Sequence, residues 1–171
     1  MPSFSCPVLG LAAYSGVGKT TLLIHLLPML RQHGVRPAVL KHSHHPCEID
    51  KPGKDSYMLH HAGAVQTLIA SANRTVLRIR HTARPNWEES VHRLGEEADL
   101  ILLEGYKAVT IPKLELHRPR LGHPLLCAQD SNIIAVATDE PLAWDLSVPL
   151  LELNDPSMIA DFIVSWLNTV R

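Results

Sequence analysis

The chain has 171 residues, of which 46% are hydrophobic and 19% charged, and a formal net charge of -1 at pH 7. That length and composition predict one folded domain over 1–171 with a proper core, and they exclude a disordered chain. The balanced charge argues against a nucleic-acid binder, so Arg74, Arg78, Arg80, Arg84 and Arg93 read as solvated surface, and no apolar stretch is long enough to span a bilayer.

Residues 7–13 are a short apolar run, as a buried parallel strand requires. They lead directly into Ala13-Tyr14-Ser15-Gly16-Val17-Gly18-Lys19-Thr20, followed by Thr21. This matches a phosphate-binding P-loop at every defining position but Ala13, where the motif has a glycine. Gly16 and Gly18 lack a Cβ, so the backbone can wrap an anion and turn the N–H groups of Ser15 to Gly18 towards it. Lys19 can reach the β- and γ-phosphates, and the Thr20 hydroxyl can ligate Mg²⁺. Ala13 is expected to stay extended, because alanine at positive φ is costly. Leu22, Leu23, Leu26, Leu27 and Leu30 then repeat at helical spacing over 21–31, placing a helix dipole behind the anion.

A second strand is predicted at 37–41, followed by a polar loop over 42–54. That loop holds His42, His44, His45 and Cys47, which would suit a metal, and Lys41, Lys51 and Lys54 beside them, which suit a phosphate or pterin better. Asp50-Lys51-Pro52-Gly53 has the Asp-x-x-Gly form of a γ-phosphate-sensing loop. A short helix over 55–62, strands over 64–70 and 75–80 and a helix over 87–97 come next. Residues 100–103 are a buried strand ending in Glu104-Gly105, where a carboxylate can bind Mg²⁺ or orient a nucleophile, or simply face solvent. The alternation of Lys113-Leu114-Glu115-Leu116-His117 predicts an edge strand or protruding hairpin. A buried strand over 133–137 ends in Thr138-Asp139. The Asp139 carboxylate can accept from the N1–H and N2–H₂ edge of guanine, or cap a helix. A last strand over 148–153 and an amphipathic helix over 155–170, with Pro156 in its first turn, complete the chain.

Strands alternating with helices predict an α/β fold, a mostly parallel sheet covered by helices on both faces with an antiparallel edge or hairpin. In such sheets ligands bind beyond the carboxyl ends of the strands, so the P-loop, Lys41-His42, Glu104-Gly105 and Thr138-Asp139 should share one rim. Cys6, Cys47 and Cys127 are an odd number without C-x-x-C spacing, which points to reduced thiols in a cytoplasm. No Lys or Arg precedes the first apolar run, unlike a signal peptide.

Ala-Tyr-Ser-Gly-Val-Gly-Lys-Thr-Thr at 13–21, Lys-His-Ser-His-His at 41–45, Asp-Lys-Pro-Gly-Lys-Asp-Ser at 50–56, Ala-Gly-Ala at 62–64 and Asp-Leu-Ile-Leu-Leu-Glu-Gly-Tyr-Lys at 99–107 resemble the MobB family of molybdopterin-guanine dinucleotide biosynthesis proteins. The resemblance runs in order over nearly the whole chain. It implies a P-loop NTPase fold of the SIMIBI class and a homodimer that binds GTP and Mg²⁺ with weak GTPase activity. It also implies a role in assisting the guanylyltransferase MobA and other molybdenum cofactor proteins, acting on molybdopterin or its guanine dinucleotide. By the match, Gly16, Gly18, Lys19, Thr20 and Thr21 carry over as phosphate and Mg²⁺ contacts, as do Asp50 and Glu104; with Lys19 these two are the candidate catalytic groups, and Thr20 and Glu104 the candidate metal ligands. Two rival readings keep the same P-loop. One is a small-molecule kinase whose His-rich loop binds an acceptor hydroxyl. The other is a non-catalytic carrier or adaptor switched by nucleotide. No arginine in the chain is placed by sequence as a finger for the transferred phosphoryl group.

Overall fold

The computed structural model describes residues 4–43, 51–83, 85–142 and 146–171. Strands lie at Val8–Ala12 (β1), Pro37–Lys41 (β2), Gln66–Ser71 (β3), Arg74–Ile79 (β4), Leu100–Glu104 (β5), Lys113–His117 (β6), Ile133–Thr138 (β7) and Leu150–Glu152 (β8). Helices lie at Lys19–Gln32 (α1), Asp55–His61 (α2), Trp87–Leu94 (α3) and Pro156–Val170 (α4). The chain forms two compact units, one of residues 1–42 with 90–171, the other of 43–89.

In the larger unit, six strands make one sheet in the order β2-β5-β1-β6-β7-β8, and every neighbouring pair is parallel. The apolar runs are the reason. Strands buried on both faces have no solvent side to alternate towards, and β1 and β5 are buried at every residue. Leu9 and Leu11 of β1 pack with Leu22, Leu26 and Leu30 of α1 and Ile159, Ile163 and Leu167 of α4 in one core. The helical leucine spacing predicted over 21–31 is the face that reaches it. Asp155 caps α4 by accepting from the N–H groups of Ser157 and Met158 at 3.0 and 3.3 Å, with Pro156 in the first turn as expected.

One predicted element is placed differently. Residues 113–117 are neither an edge strand nor a hairpin: β6 lies inside the sheet, between β1 and β7. The polar members of its alternation, Lys113, Glu115 and His117, are buried, and the first two are partnered. Lys113 donates to Asp130, and the Glu115 carboxylate accepts from the N–H groups of Leu126 and Cys127 at 2.7 and 2.8 Å. These polar side chains therefore tie the segment over 118–132 to the sheet, where solvent was expected. Gly10 makes the tie possible, because a Cβ there would lie 2.9 Å from Lys113 Cγ. The antiparallel pair is formed instead by β3 and β4 in the smaller unit, with α2 beside them in sequence.

Arg36, just before β2, and Asp99, just before β5, join the base of the sheet. The Arg36 amide and guanidinium donate to the Asp99 carboxylate at 2.8 to 3.0 Å. The Arg36 guanidinium, and then its amide, pull the Asp99 carboxyl down to about 2. A depressed acid contributes stability that is complete above its unfolded value, about 3.9, and is lost as pH falls through the folded value. Acid titration of stability is therefore expected to show a loss below about pH 4 that Asp99→Asn lacks, measured by denaturant melts at each pH. Identical acid profiles for the two proteins would show that the pair contributes nothing to acid sensitivity.

No helix among the described residues is long and apolar enough to cross a membrane.

Candidate nucleotide site

The carboxyl ends of β1, β2, β5, β6 and β7 bring the predicted groups to one rim. Ala13 is fully buried, and no residue other than glycine has positive φ among the described residues, so alanine costs the loop nothing there. Gly16 and Gly18 carry the left-handed conformations, at φ 81° and 109°. Gly18 is also the residue before α1, and no side chain caps that helix. Its first-turn amides are left for an anion, and no acidic residue sits in the turn.

The Lys19 ammonium donates to the Tyr14 carbonyl at 3.0 Å and the Ala13 carbonyl at 3.4 Å, folded over the loop it would use to hold phosphate. Burial, and then Lys107, pull its pKa down; Glu104 opposes this and Lys41 adds to it. Three ammonium groups therefore converge on the loop. Lys107 also stands 4.5 Å from the centre of the Tyr14 ring, whose face stacks on His123 at 4.3 Å.

Thr20 and Glu104, predicted as metal ligands from sites 84 residues apart, meet directly: the hydroxyl donates to Glu104 Oε1 at 3.2 Å. The carboxylate is 9% exposed. Lys41, placed opposite Glu104 by the β2–β5 register, lies 3.1 Å from the same oxygen and 3.2 Å from Thr20 Oγ1. A hydroxyl and a carboxylate oxygen are the hard donors Mg²⁺ takes, and a cation already stands against both, so the donor set fits that ion. Two protein ligands are enough where phosphates and water complete the shell.

Asp139 follows β7 on the same rim, and no helix starts there, so it is not a cap. Its Oδ2 is paired with Arg118, while Oδ1 is buried without a partner among the described residues. Arg118 also donates from Nε to the Val17 carbonyl at 2.8 Å and from Nη2 to Asn154 at 3.5 Å. A cavity of about 210 Å³ opens here, lined by Gly18, Thr21, His25, Arg118 and Asn154 among others. Sequence reading passed over Arg118. It follows residues 113–117, and a parallel strand delivers its successor to the ligand rim, where a protruding hairpin would not. Asp50 falls outside the described residues, as do His44, His45 and Cys47. His42 is described: its ring lies 5.2 Å from that of Tyr106 and its amide donates to the Glu104 carbonyl at 2.9 Å.

Residues 8–139 match the family model of molybdopterin guanine dinucleotide synthesis protein B. The chain is 46% identical to the molybdopterin-guanine dinucleotide biosynthesis adapter protein of Escherichia coli K12, over 94% of this chain and 93% of that protein. It is 41% identical to the adapter protein of the same name from Haemophilus influenzae, over 95% and 90%. Its fold is similar to the crystal structure of Bacillus subtilis MobB, with a TM-score of 0.71 and 25% identity over 93% of this chain and 96% of that one.

Proposed function

This chain belongs to the molybdopterin guanine dinucleotide synthesis protein B family, and from that premise we propose that it is a GTP-binding accessory protein of molybdenum cofactor biosynthesis with slow, Mg²⁺-dependent GTPase activity. The observation that carries the reading is the meeting of the P-loop, its lysines and the Thr20–Glu104 pair on one rim. Both named relatives are adapter proteins, which favours an assisting role over a small-molecule kinase.

The amides of Ser15 to Gly18 and of the first turn of α1 hold the phosphates, with Lys19 and Thr21. Lys19 then leaves the Tyr14 carbonyl for a phosphate oxygen, exchanging a neutral acceptor for a charged one. Thr20 and Glu104 would hold Mg²⁺, which supplies charge neutralisation at the β- and γ-phosphates. Glu104 can also orient the attacking water, with Asp50 as a further candidate for that work. The reaction gains little from an arginine: Arg118 reaches the loop, but it is bonded to the Val17 carbonyl and to Asp139. Slow turnover is consistent with that arrangement. GTP titration with and without Mg²⁺, followed by single-turnover hydrolysis with and without pterin and the guanylyltransferase partner, tests the reading. Absence of GTP binding would overturn it.

Guanine selection is assigned to Asp139. Arg118 holds one carboxylate oxygen, so Oδ1 is the acceptor left for a base donor. Asp139→Asn is expected to weaken GTP about tenfold, the worth of one charged hydrogen bond. XTP should lose less, because the new amide can donate to its carbonyl. Competition titrations measure the ratio. If GTP and XTP fall together, Asp139 acts only by anchoring Arg118.

Pairing of two copies, the state implied by family resemblance, draws support from the smaller unit. Met58, Leu59, Val65, Leu68 and Leu77 are exposed there, and among the described residues β3 and β4 pair only with each other.

A further inference from the structure

Thr20, Lys41 and Glu104 come from three parts of the chain, yet three of their polar atoms form one small triangle. Its sides are 3.1 Å from Lys41 Nζ to Glu104 Oε1, 3.2 Å from Nζ to Thr20 Oγ1 and 3.2 Å between the two oxygens. Strand pairing sets this geometry, since Lys41 is opposite Glu104 in the β2–β5 register and Thr20 opens α1 beside them. The ammonium thus sits on both oxygens that the metal would take.

An ammonium only donates, and it satisfies itself at about 2.9 Å from oxygen, whereas Mg²⁺ needs the same lone pairs at about 2.0–2.1 Å in octahedral order. The two cations also repel at this range, and one carboxylate carries too little charge to neutralise both. We propose that Lys41 is an internal counter-ion which holds the metal position of the nucleotide-free protein and is displaced when Mg²⁺ enters with the nucleotide. The inference rests on the nucleotide reading above. It gives Lys41 two effects of opposite sign. Lys41 competes with the divalent cation, and it also neutralises Glu104, so that a metal-free triphosphate does not meet a bare carboxylate. Lys41 is half exposed on a flexible stem, so it can leave the triangle without moving the strand. A simple phosphate contact would act differently, strengthening nucleotide binding with and without metal alike.

The test uses the full chain as wild type, Lys41→Met and Lys41→Met/Glu104→Gln. Mn²⁺ is titrated into each nucleotide-free protein, with free ion read by electron paramagnetic resonance. Lys41→Met should bind Mn²⁺ about tenfold more tightly than wild type, and the double variant should lose that gain. In EDTA, a fluorescent GTP analogue should bind Lys41→Met about tenfold more weakly than wild type, and the double variant should recover. Equal Mn²⁺ binding by wild type and Lys41→Met overturns the proposal. So does a fall in GTP affinity by the same factor with and without metal, which would make Lys41 a phosphate contact. The nucleotide reading fails by a separate sign: Lys19→Ala binding the analogue as well as wild type does, while the Mn²⁺ titrations still report on the triangle alone.

Discussion

Lys19→Ala is expected to lower GTP affinity on the order of a hundredfold and to remove hydrolysis. Charged hydrogen bonds are worth about 1.5–3 kcal/mol each, and a loop lysine that reaches two phosphates makes more than one. The cost to folding should be small. In the nucleotide-free protein Lys19 donates to two partly buried carbonyls of the loop, neutral acceptors whose hydrogen bonds are lost at modest cost. The depressed Lys19 pKa has a consequence of its own. Burial and Lys107 make the ammonium easier to deprotonate, and a bound triphosphate reverses that by adding negative charge. The variant is therefore read out cleanly by calorimetric titration with Mg²⁺-GTP, beside a thermal melt that confirms the fold. Unchanged affinity in a folded Lys19→Ala protein would remove the P-loop from the binding site.

The largest loss of stability is expected from Asp130→Ala. Lys113 is 2% exposed in the middle of the sheet, and the Asp130 carboxylate is its charged partner. Burial works against ionisation of Asp130, but hydrogen bonds from Lys113 and then Asn132 prevail and hold its pKa below the usual range. Removing one partner of such a pair leaves an uncompensated charge, a loss of about 3–5 kcal/mol. The lower end applies, because Asp130 is a quarter exposed and water can reach part of the gap. Lys113→Met/Asp130→Ala should recover much of the loss, since the buried charge goes with its partner and the methionine stem still fits over Gly10. Chemical denaturation of the single and double variants measures both. A single variant within about 0.5 kcal/mol of wild type would mean that the Lys113–Asp130 pair contributes nothing to stability.

Local chemistry was legible without coordinates wherever a residue's role depends on its neighbours in the chain. The P-loop glycines, the leucine face of α1, the Asp155-Pro156 start of α4 and the apolar runs of β1, β5 and β7 all belong to that class. Each is set by backbone conformation or by a repeat shorter than a dozen residues. The meeting of Thr20 with Glu104 could also be anticipated, because parallel strands send their carboxyl ends to one rim.

The tertiary structure decided what the polar side chains of 113–117 face. Alternation tells that a strand has two unlike faces, but it cannot tell whether the polar face meets water or partnered groups. Lys113 and Glu115 are buried because Asp130 and the amides of Leu126 and Cys127 come to them from a segment more than ten residues away. Moving that strand from the edge to the interior also brought Arg118 to the P-loop and to Asp139. Lys41 is the same kind of case: its sequence position marks it as a rim cation, and only the β2–β5 register puts it on the two oxygens meant for a metal. Which charge neutralises which is a property of distances of a few ångströms between groups far apart in sequence, and those distances come into being only when the sheet closes.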